Sequence, residues 1–251
     1  MAEAYSDFAL VYDRLMDNIP YDDWFDYIHG LLTEYGIKNG IIVELGCGTG
    51  NITERLAVSG YDMIGIDTSP SMLNMARSKK SEASTSLYLC QDMREFELYG
   101  TVSAVVSVCD SINYILEPDE LVHVFSLVNN YLDPKGVFIF DFNTRHYYLD
   151  VVADATIAED REDISFIWDN YYDAKSNINE LALSLFIRET DDDLFRKYEE
   201  LHLQKGYTLE EMITLVEQSG LELVCAYDAF THDSATNDSE RIYVIAREHG
   251  K

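Results

Sequence analysis

Three glycines separate an apolar, strand-like run from a helical pattern in the first quarter of the chain. Gly46, Gly48 and Gly50 follow "IIVEL" and precede "NITERL". Such a turn leaves bare backbone beside a helix N-terminus, where a ligand can approach closely. The dinucleotide fingerprint G-x-G-x-x-G requires a further glycine where this chain has Asn51, and Glu44 precedes the turn. This order favours a ligand without a pyrophosphate.

Polar side chains follow the next three apolar runs. Asp67 ends "YDMIGID", Asp92 follows "LYLCQ", and Asp110 and Asn113 follow "VVSVC". If these runs are neighbouring parallel strands, their carboxyl ends meet at one edge of the sheet, where ligands bind. Asp67 is then placed to accept from a ribose diol, and Asp92 from an adenine amino group while Met93 packs on the ring. Each acid alone is typical of a cap or turn, but four successive strand ends with a glycine or polar signature favour a binding site.

The elements that must position these residues alternate in type. From Gly40 to Asp141, short β-rich runs alternate with helical patterns, which predicts crossover connections and a parallel sheet. The runs "VSAVVSV" and "VFIFDF" are continuously apolar, as in strands covered on both faces. Between Pro118 and Pro134, apolar residues recur at helical spacing. The sequence therefore predicts an α/β fold with helices on both faces of the sheet.

Two segments lie outside this alternation. Residues 5–35 carry two helical patterns, the first including Phe8, and we expect them to cap the end of the first strand. Residues 160–205 hold three strand-like runs separated by "AKSN" and "TDDD", which are hairpin-turn compositions. These runs predict an inserted antiparallel sheet. A helix capped by Thr208 and ended by Gly220 follows, and then two strands.

The expected domain organisation follows from these segments. Residues 1–142 and 207–251 are assigned to one cofactor-binding domain, in which residues 1–36 form a helical cap. Residues 143–206 are assigned to an inserted β-rich subdomain that serves as a lid, a substrate-binding element or a dimerisation element.

Composition restricts the partners. The 251 residues contain 18 Lys and Arg against 46 Asp and Glu, a formal net charge of −28. A polyanion such as nucleic acid would meet mostly like charge, so no nucleic-acid partner is expected, nor an anionic membrane. No apolar run approaches the ~18 residues of a membrane span. The four cysteines show no paired C-x-x-C spacing, which favours reduced thiols and a cytoplasmic protein.

Taken together, these patterns resemble the class I S-adenosylmethionine-dependent methyltransferases over most of the chain. "VELGCGTGN" is similar to their first motif, "GIDTSPSMLNMAR" to their second and "QDMREF" to their adenine contact. "YSDFALVYDRLM", "CDSINYI", "FDFNT" and "SERIYVIARE" resemble a bacterial group of small-molecule or uncharacterised methyltransferases. The resemblance implies S-adenosyl-L-methionine as cofactor, S-adenosyl-L-homocysteine as product, and a Rossmann-like sheet of seven strands with the last one reversed.

The resemblance also implies a set of cofactor-binding residues, with Asp67 at the ribose and Met72 beside the adenine. The full predicted set is Tyr12, Glu44, Gly46, Cys47, Gly48, Gly50, Asp67, Thr68, Met72, Asp92, Met93, Cys109, Asp110 and Asn113. The methyl donor carries a sulfonium, an ammonium and a carboxylate and is a net cation. An acidic mouth attracts such a ligand, whereas NAD requires a cradle for two phosphates.

The catalytic residues stay unidentified at this stage. Methyl transfer requires nucleophile and methyl to be held in line at roughly 3–3.5 Å without water, and a general base is optional. If the acceptor arrives protonated, His202 or Tyr207 is a candidate base. Six aromatic residues either line an acceptor pocket or pack in the core: Tyr5, Tyr12, Trp24, Trp168, Tyr171 and Tyr172.

The acceptor is expected to be a small molecule with an N or O nucleophile, held under the inserted sheet. The chain lacks N-P-P-Y after the fourth strand, where Asp110 and Asn113 enclose "SI", and this argues against methylation of adenine or glutamine amides. It shows no Cys/His metal spacing, so no metal is expected. The alternatives are a non-catalytic module that binds the cofactor and a nicotinamide-dependent oxidoreductase. The aromatic strands of the insertion suit a homodimer interface equally well.

Overall fold

The structure, a computed structural model, describes residue 9 and residues 11–82, 84–189 and 194–251. Its helices are α1 (Tyr12–Leu15), α2 (Tyr21–Glu34), α3 (Asn51–Val58), α4 (Pro70–Lys79), α5 (Pro118–Tyr131) and α6 (Leu209–Gln218). Its strands are β1 (Ile41–Leu45), β2 (Asp62–Asp67), β3 (Leu87–Cys90), β4 (Val102–Ser107), β5 (Leu132–Asn143), β6 (Thr156–Asp160), β7 (Ile164–Asp173), β8 (Ile178–Arg188), β9 (Phe195–Lys205), β10 (Glu222–Asp228) and β11 (Arg241–Arg247). A 3₁₀ turn spans Ser111–Tyr114 and a π-helical turn spans Tyr147–Val152.

Seven strands form the main sheet in the order β3-β2-β1-β4-β5-β11-β10. Strands β1 to β5 run parallel to one another, whereas β11 is antiparallel to both β5 and β10. The predicted mostly parallel sheet with a reversed last strand is confirmed. Because the chain order reverses between β1 and β4, the carboxyl ends of these two strands open a crevice at that point.

The sheet is covered on both faces because successive strand residues point to opposite sides. On one face α5 and α6 pack against residues such as Val105 and Phe140. On the other face α2 and α3 pack against residues such as Ala104 and Ile139. This double burial explains why β4 and β5 read as continuous apolar runs. None of the described helices is long and apolar enough to span a membrane.

Local signals set the helix boundaries. Helix α5 begins at Pro118, as predicted, and its apolar stripe is buried. The Thr208 hydroxyl accepts from the backbone N–H of Glu211, whose carboxylate accepts from the Thr208 N–H, so α6 starts with a capping box. Gly220 follows the end of α6 with a φ of +87°, the left-handed conformation typical of glycine after a helix.

The inserted segment forms a separate antiparallel sheet in the order β6-β7-β8-β9. The three predicted strands are confirmed, and β6 is an additional edge strand. The prediction missed β6 because "TIAED" is almost wholly exposed and shows no apolar alternation. The sheet meets the carboxyl end of β4, where the backbone carbonyl of Lys205 accepts from the Asn113 amide at 2.8 Å.

The first N-terminal helix is short. Helix α1 has four residues, and Leu15 together with the preceding Val11 packs against apolar residues of the inserted sheet. Phe8, which was assigned to the same helix, lies outside the described residues. The second predicted helix is confirmed as α2, which covers a face of the main sheet.

Candidate functional site

A cavity of about 360 Å³ lies at the carboxyl ends of β1, β2 and β4, the size range of small-ligand pockets. Its lining includes these residues of the predicted set: Tyr12, Glu44, Gly46, Cys47, Gly48, Asp67, Thr68, Met72, Asp92, Met93 and Cys109. It also includes residues that were not predicted: Tyr21, Thr49, Asn51, Ile52, Ile66, Ser69, Gln91, Arg94, Val108, Ser111, Tyr114 and Ile115. The topological switch point therefore brings most of the predicted residues together.

The three glycines of the turn have different reasons to be glycine. All have positive φ values, of 74°, 52° and 76° in chain order. A Cβ on Gly46 would lie 2.4 Å from the Ser111 hydroxyl, and one on Gly50 would lie 2.4 Å from the Tyr88 hydroxyl. A Cβ on Gly48 would meet no atom within 4 Å, because it would point into open space. Gly50 does not line the cavity; its ligand contact stays a prediction, and the structure shows it packed against Tyr88.

Asp67 ties the glycine turn to the start of α4. One carboxylate oxygen accepts the backbone N–H of Gly48 and the other accepts that of Ser69, both at 2.8 Å. Burial raises the pKa of Asp67, and these backbone hydrogen bonds oppose that effect. A carboxylate can accept about four hydrogen bonds. Asp67 therefore keeps acceptor capacity on the cavity side while holding the turn in place.

Glu44 is the most deeply buried acid of the cavity. Its side chain accepts a short hydrogen bond from the hydroxyl of Thr53 on α3. Desolvation and, to a smaller extent, the charge of Asp67 raise its pKa to about 8, with the hydrogen bond from Thr53 opposing them. In the absence of a ligand, Glu44 therefore holds a proton at neutral pH.

Asp92 is already engaged by a cation. Its carboxylate pairs with the Arg94 guanidinium at 2.6 Å, and Arg94 also contacts Glu120 at 3.3 Å. The hydrogen bond from Arg94 lowers the pKa of Asp92, and partial burial opposes that effect. The sequence showed "QDMREF" but gave no sign that its arginine turns back onto its aspartate. Any amino group that reaches Asp92 shares it with Arg94.

The turn after β4 is strained and held by buried charges. Cys109 and Asp110 both adopt positive φ, of 60° and 54°, which is uncommon for residues with side chains. Their backbone N–H groups donate to the buried carboxylate of Asp141, which also pairs with Arg241 at 2.6 Å. Burial raises the pKa of Asp141, and Arg241 opposes this. The arrangement presents Cys109 to the cavity.

Asp110 and Asn113 lie outside the cavity lining, and their cofactor contacts stay a prediction. Asp110 pairs with Arg241 at 2.8 Å and accepts from the Gln204 amide at 2.7 Å. The fully buried amide of Asn113 donates to the carbonyls of Asn143 and Lys205 and accepts from the Asn143 N–H. Both side chains join the main sheet to the inserted sheet.

A segment from α1 closes one side of the cavity. Asp13 accepts from Thr49 at 2.7 Å and from Asn51 at 3.0 Å, and it pairs with Lys79 at 2.6 Å. Partial burial raises the pKa of Asp13, but the bonds from Lys79, Thr49 and Asn51 outweigh it and lower the pKa. Asn51, where a dinucleotide site has glycine, therefore anchors the N-terminal segment. Tyr12, which precedes Asp13 in the chain, lines the cavity.

Neither candidate base lines the cavity directly. Tyr207 is buried, and its hydroxyl donates to the Ile115 carbonyl at 2.6 Å, so its catalytic role stays an untested prediction. His202 lies behind the wall, with Nδ1 3.2 Å from the hydroxyl of Tyr114. Tyr114 and the acid beside His202, Glu200, were missed. The sequence of β9 contained a sign of them, because the polar residues Glu200, His202 and Gln204 occur at every second position and share one buried face.

The aromatic candidates for an acceptor pocket divide. Of the six, Tyr12 lines the cavity, and Tyr5 lies outside the described residues. Trp24 packs beneath the Arg241 guanidinium, 5.1 Å from its ring centre, and Trp168 packs against Phe166. Tyr171 is exposed, whereas Tyr172 is buried beside Tyr148. Trp24, Trp168 and Tyr172 therefore pack against other side chains, whereas Tyr171 has no such packing role among the described residues.

Comparison with known proteins assigns this arrangement to a family. A family model described as a methyltransferase domain matches residues 42–136. YqeM of Bacillus subtilis (strain 168), named as a methyltransferase, is 35% identical over 97% of both chains. The crystal structure of a S-adenosylmethionine-dependent methyltransferase from Clostridium acetobutylicum ATCC 824 has a TM-score of 0.87 and 26% identity, and it covers 98% of this chain and 99% of its own.

A more distant structure shares the fold. CalS10 from Micromonospora echinaspora, an amino pentose methyltransferase solved with S-adenosylmethionine bound, has a TM-score of 0.75 at 17% identity. The superposition covers 95% of this chain and 97% of that one. The likeness therefore extends over the inserted sheet as well as the cofactor-binding part.

Proposed function

Because the chain belongs to the class I S-adenosylmethionine-dependent methyltransferases, we propose that it methylates an amino or hydroxyl group of a small-molecule acceptor. S-adenosyl-L-methionine is its cofactor. The observation that carries the proposal is the cavity at the switch point, in which Gly48 leaves open space beside the carboxylates of Asp67 and Glu44.

The residues present fit this cofactor. A methionine moiety requires close approach to backbone, and Gly48 is the one glycine of the turn whose missing Cβ leaves open space. Asp67 has acceptor capacity left for ribose hydroxyls after binding two backbone N–H groups. Met72 and Met93 supply apolar surface for an aromatic base. Glu44 supplies a carboxyl group that becomes charged when a cation binds beside it.

When bound, the cofactor supplies a methyl group already activated by its sulfonium. The protein must then orient the acceptor and exclude water. Two parts of this chain serve that purpose in the proposal: the α1 segment, latched by Asp13 onto Thr49 and Asn51, and residues 143–206, acting as a lid over the strand ends. Arg161 joins the two parts, because its guanidinium binds Asp17 at 2.9 Å.

A small acceptor is favoured over nucleic acid by the charge of the protein and by its likeness to a small-molecule methyltransferase. With a net charge of −28, the protein has no excess of Lys and Arg to neutralise phosphates. The described fold resembles CalS10, which acts on an amino pentose. An amine-bearing small molecule of comparable size is therefore the first acceptor class to test.

The test is transfer of tritiated methyl from S-adenosylmethionine to separate pools of amino sugars, other small amines, hydroxyl compounds, tRNA and total protein. Label in a small amine or hydroxyl compound supports the proposal, and label only in tRNA or protein refutes it. A parallel calorimetric titration with S-adenosylhomocysteine separates the non-catalytic alternative, since a binding module gives affinity without label in any pool. Asp67→Ala serves as the control that lacks a cofactor contact.

A further inference from the structure

The side chains of Tyr114, His202 and Glu200 form a row, the side-chain relay, that leads from the cavity wall into the inserted sheet. Tyr114, on the 3₁₀ turn after β4, lines the cavity, and its hydroxyl lies 3.2 Å from Nδ1 of His202. Nε2 of the same ring lies 3.2 Å from Oε2 of Glu200. We propose that this side-chain relay accepts the proton that an acceptor amine or hydroxyl loses on methylation. Tyr114 touches the acceptor, and His202 holds the proton. The inference rests on the proposed function.

Burial gives the side-chain relay its electrostatic character. The side chains of His202 and Glu200 are 3% and 1% exposed. Both project from the same face of β9, because alternate strand residues share a face. The β8 residues opposite them, Leu181 and Leu183, are buried and apolar. In such surroundings the interaction between a carboxylate and a charge that develops next to it is only weakly screened, so Glu200 is placed to act on the charge that His202 gains during proton transfer.

The titratable groups around the imidazole come from three directions. Tyr114 approaches from the 3₁₀ turn and Glu200 from β9 itself. Asp110 approaches through Gln204, the next inward-facing residue of β9, whose amide donates to it at 2.7 Å. Asp110 is paired with Arg241 at 2.8 Å. Its charge is therefore compensated, and Glu200 is the carboxylate that acts on the ring directly.

Every bond that breaks in the proton transfer is matched by one that forms within the side-chain relay. As the acceptor nitrogen or oxygen becomes methylated, its N–H or O–H bond breaks and the proton passes to the Tyr114 oxygen. The proton of Tyr114 passes in turn to Nδ1 of His202, where a new N–H bond forms. The resulting imidazolium is paired with Glu200. After the product leaves, the reverse transfer releases the proton to the open cavity, and no oxidant or further reactant is needed.

This arrangement restricts the acceptor class. A primary or secondary amine or a hydroxyl compound has a proton at the reacting atom, so the side-chain relay can promote its methylation by removing that proton. A tertiary amine or a thioether has none at the reacting atom and gains nothing. The acceptor is therefore expected to carry N–H or O–H at the methylated position.

The tautomer of His202 tests the arrangement without any acceptor. Nδ1 must be bare to take the tyrosine proton, and Nε2 must carry a hydrogen toward Glu200. Long-range ¹H–¹⁵N spectra of histidine-labelled protein, with the His202 signal assigned through His202→Gln, should show the Nε2–H form. Glu200→Gln should raise the Nδ1–H population. A wild-type ring protonated at Nδ1 alone would overturn the inference.

Kinetics test the role in turnover with an amino pentoside as the probe. His202→Gln should lower kcat by about 10²-fold or more and change the pH dependence of kcat, which a purely structural role would not do. Glu200→Asp, which keeps the charge, should retain more activity than Glu200→Gln. The matched control is His232→Gln, because His232 contacts Glu34 at 3.0 Å in an exposed pair far from the cavity. Its kcat should equal that of the wild type.

The two proposals fail in different ways. His202→Gln that keeps the wild-type pH profile, or a Tyr114→Phe variant with unchanged kcat, would refute the side-chain relay while leaving methyl transfer intact. A wild-type protein that binds no S-adenosylhomocysteine in calorimetry and labels no probe would refute the proposed function. The histidine spectra would still decide whether the side-chain relay has the stated arrangement.

Discussion

Glu44→Gln isolates the cost of a buried carboxyl group in the cofactor cavity. The folded protein holds the Glu44 pKa at about 8, against an ordinary value of 4.5, because burial disfavours the charged form. Between these two pH values the native state binds a proton that the unfolded state has released. The free energy of unfolding contributed by Glu44 therefore falls as pH rises from about 4.5 to about 8. Glutamine does not titrate and removes this dependence.

The size of the effect follows from the two pKa values. The difference between 8 and 4.5, at about 1.36 kcal/mol per pH unit, gives on the order of 5 kcal/mol. This is a large fraction of the ~5–15 kcal/mol that stabilises a typical domain. At about pH 4 the wild type and Glu44→Gln should differ only by the altered bond to Thr53. At about pH 9 the variant should be the more stable protein by up to this amount.

Urea unfolding of the ligand-free proteins across this pH range measures the difference directly. The comparison cancels raised carboxyls that do not act on Glu44, such as Asp141, because both proteins contain them. The exposed Glu222→Gln is the control and should leave the pH dependence unchanged. A Glu44→Gln curve parallel to that of the wild type at all pH values would refute the assignment of a protonated Glu44 to the empty cavity.

Three further predictions concern the glycine turn, the hydrogen bonds of Asp13 to Thr49 and Asn51, and the carboxylate of Asp67. Gly48→Ala should weaken S-adenosylhomocysteine binding in calorimetry, whereas Gly50→Ala should cause the larger loss of Tm, because only a Cβ on Gly50 meets Tyr88, at 2.4 Å. Both variants carry the cost of a left-handed alanine, roughly 1–2 kcal/mol. Equal losses of Tm would contradict the proposed difference between the two glycines. Asp13→Asn should raise the dissociation rate of S-adenosylhomocysteine about fivefold, or ~1 kcal/mol for a partly exposed charge pair, and a stopped-flow rate equal to that of the wild type would show that these hydrogen bonds do not close the site. Asp67→Ala should weaken binding by on the order of 1.5–3 kcal/mol for each charge-assisted bond lost, and unchanged affinity would remove Asp67 from the site.

The sequence predicted the main sheet well because burial on both faces leaves a strong local signal. Continuous apolar runs gave β4 and β5, and the proline and capping signals gave α5 and α6. It missed β6, whose stability comes from pairing with β7 rather than from an apolar face. Edge strands of this kind carry no periodicity for a pattern to detect.

The site was predicted less evenly, for a different reason. Position at a strand end was enough to find Asp67, since the carboxyl ends of parallel strands share one edge. Position did not predict the partner of Asp110, which lies outside the cavity lining and pairs with Arg241, a residue distant in sequence. Asn113 likewise binds Lys205 of the inserted sheet. Partners that arrive from distant segments decide where a side chain points, and no local pattern contains them.

The cavity attracts its cation by a mechanism that the count of acids conceals. Four carboxylates suggest a strongly negative mouth, but Asp92 is neutralised by Arg94, and Asp110, outside the cavity, is neutralised by Arg241. Glu44 holds a proton at neutral pH, which leaves Asp67 as the uncompensated charge. A cation entering beside Glu44 favours its ionised form, so binding should release a proton. Calorimetry at about pH 7 in buffers of different ionisation enthalpy should then show up to about one proton released per S-adenosylmethionine bound, and none in Glu44→Gln. Affinity for the donor should accordingly rise with pH up to about 8, because the cost of removing that proton falls as the solution becomes more basic.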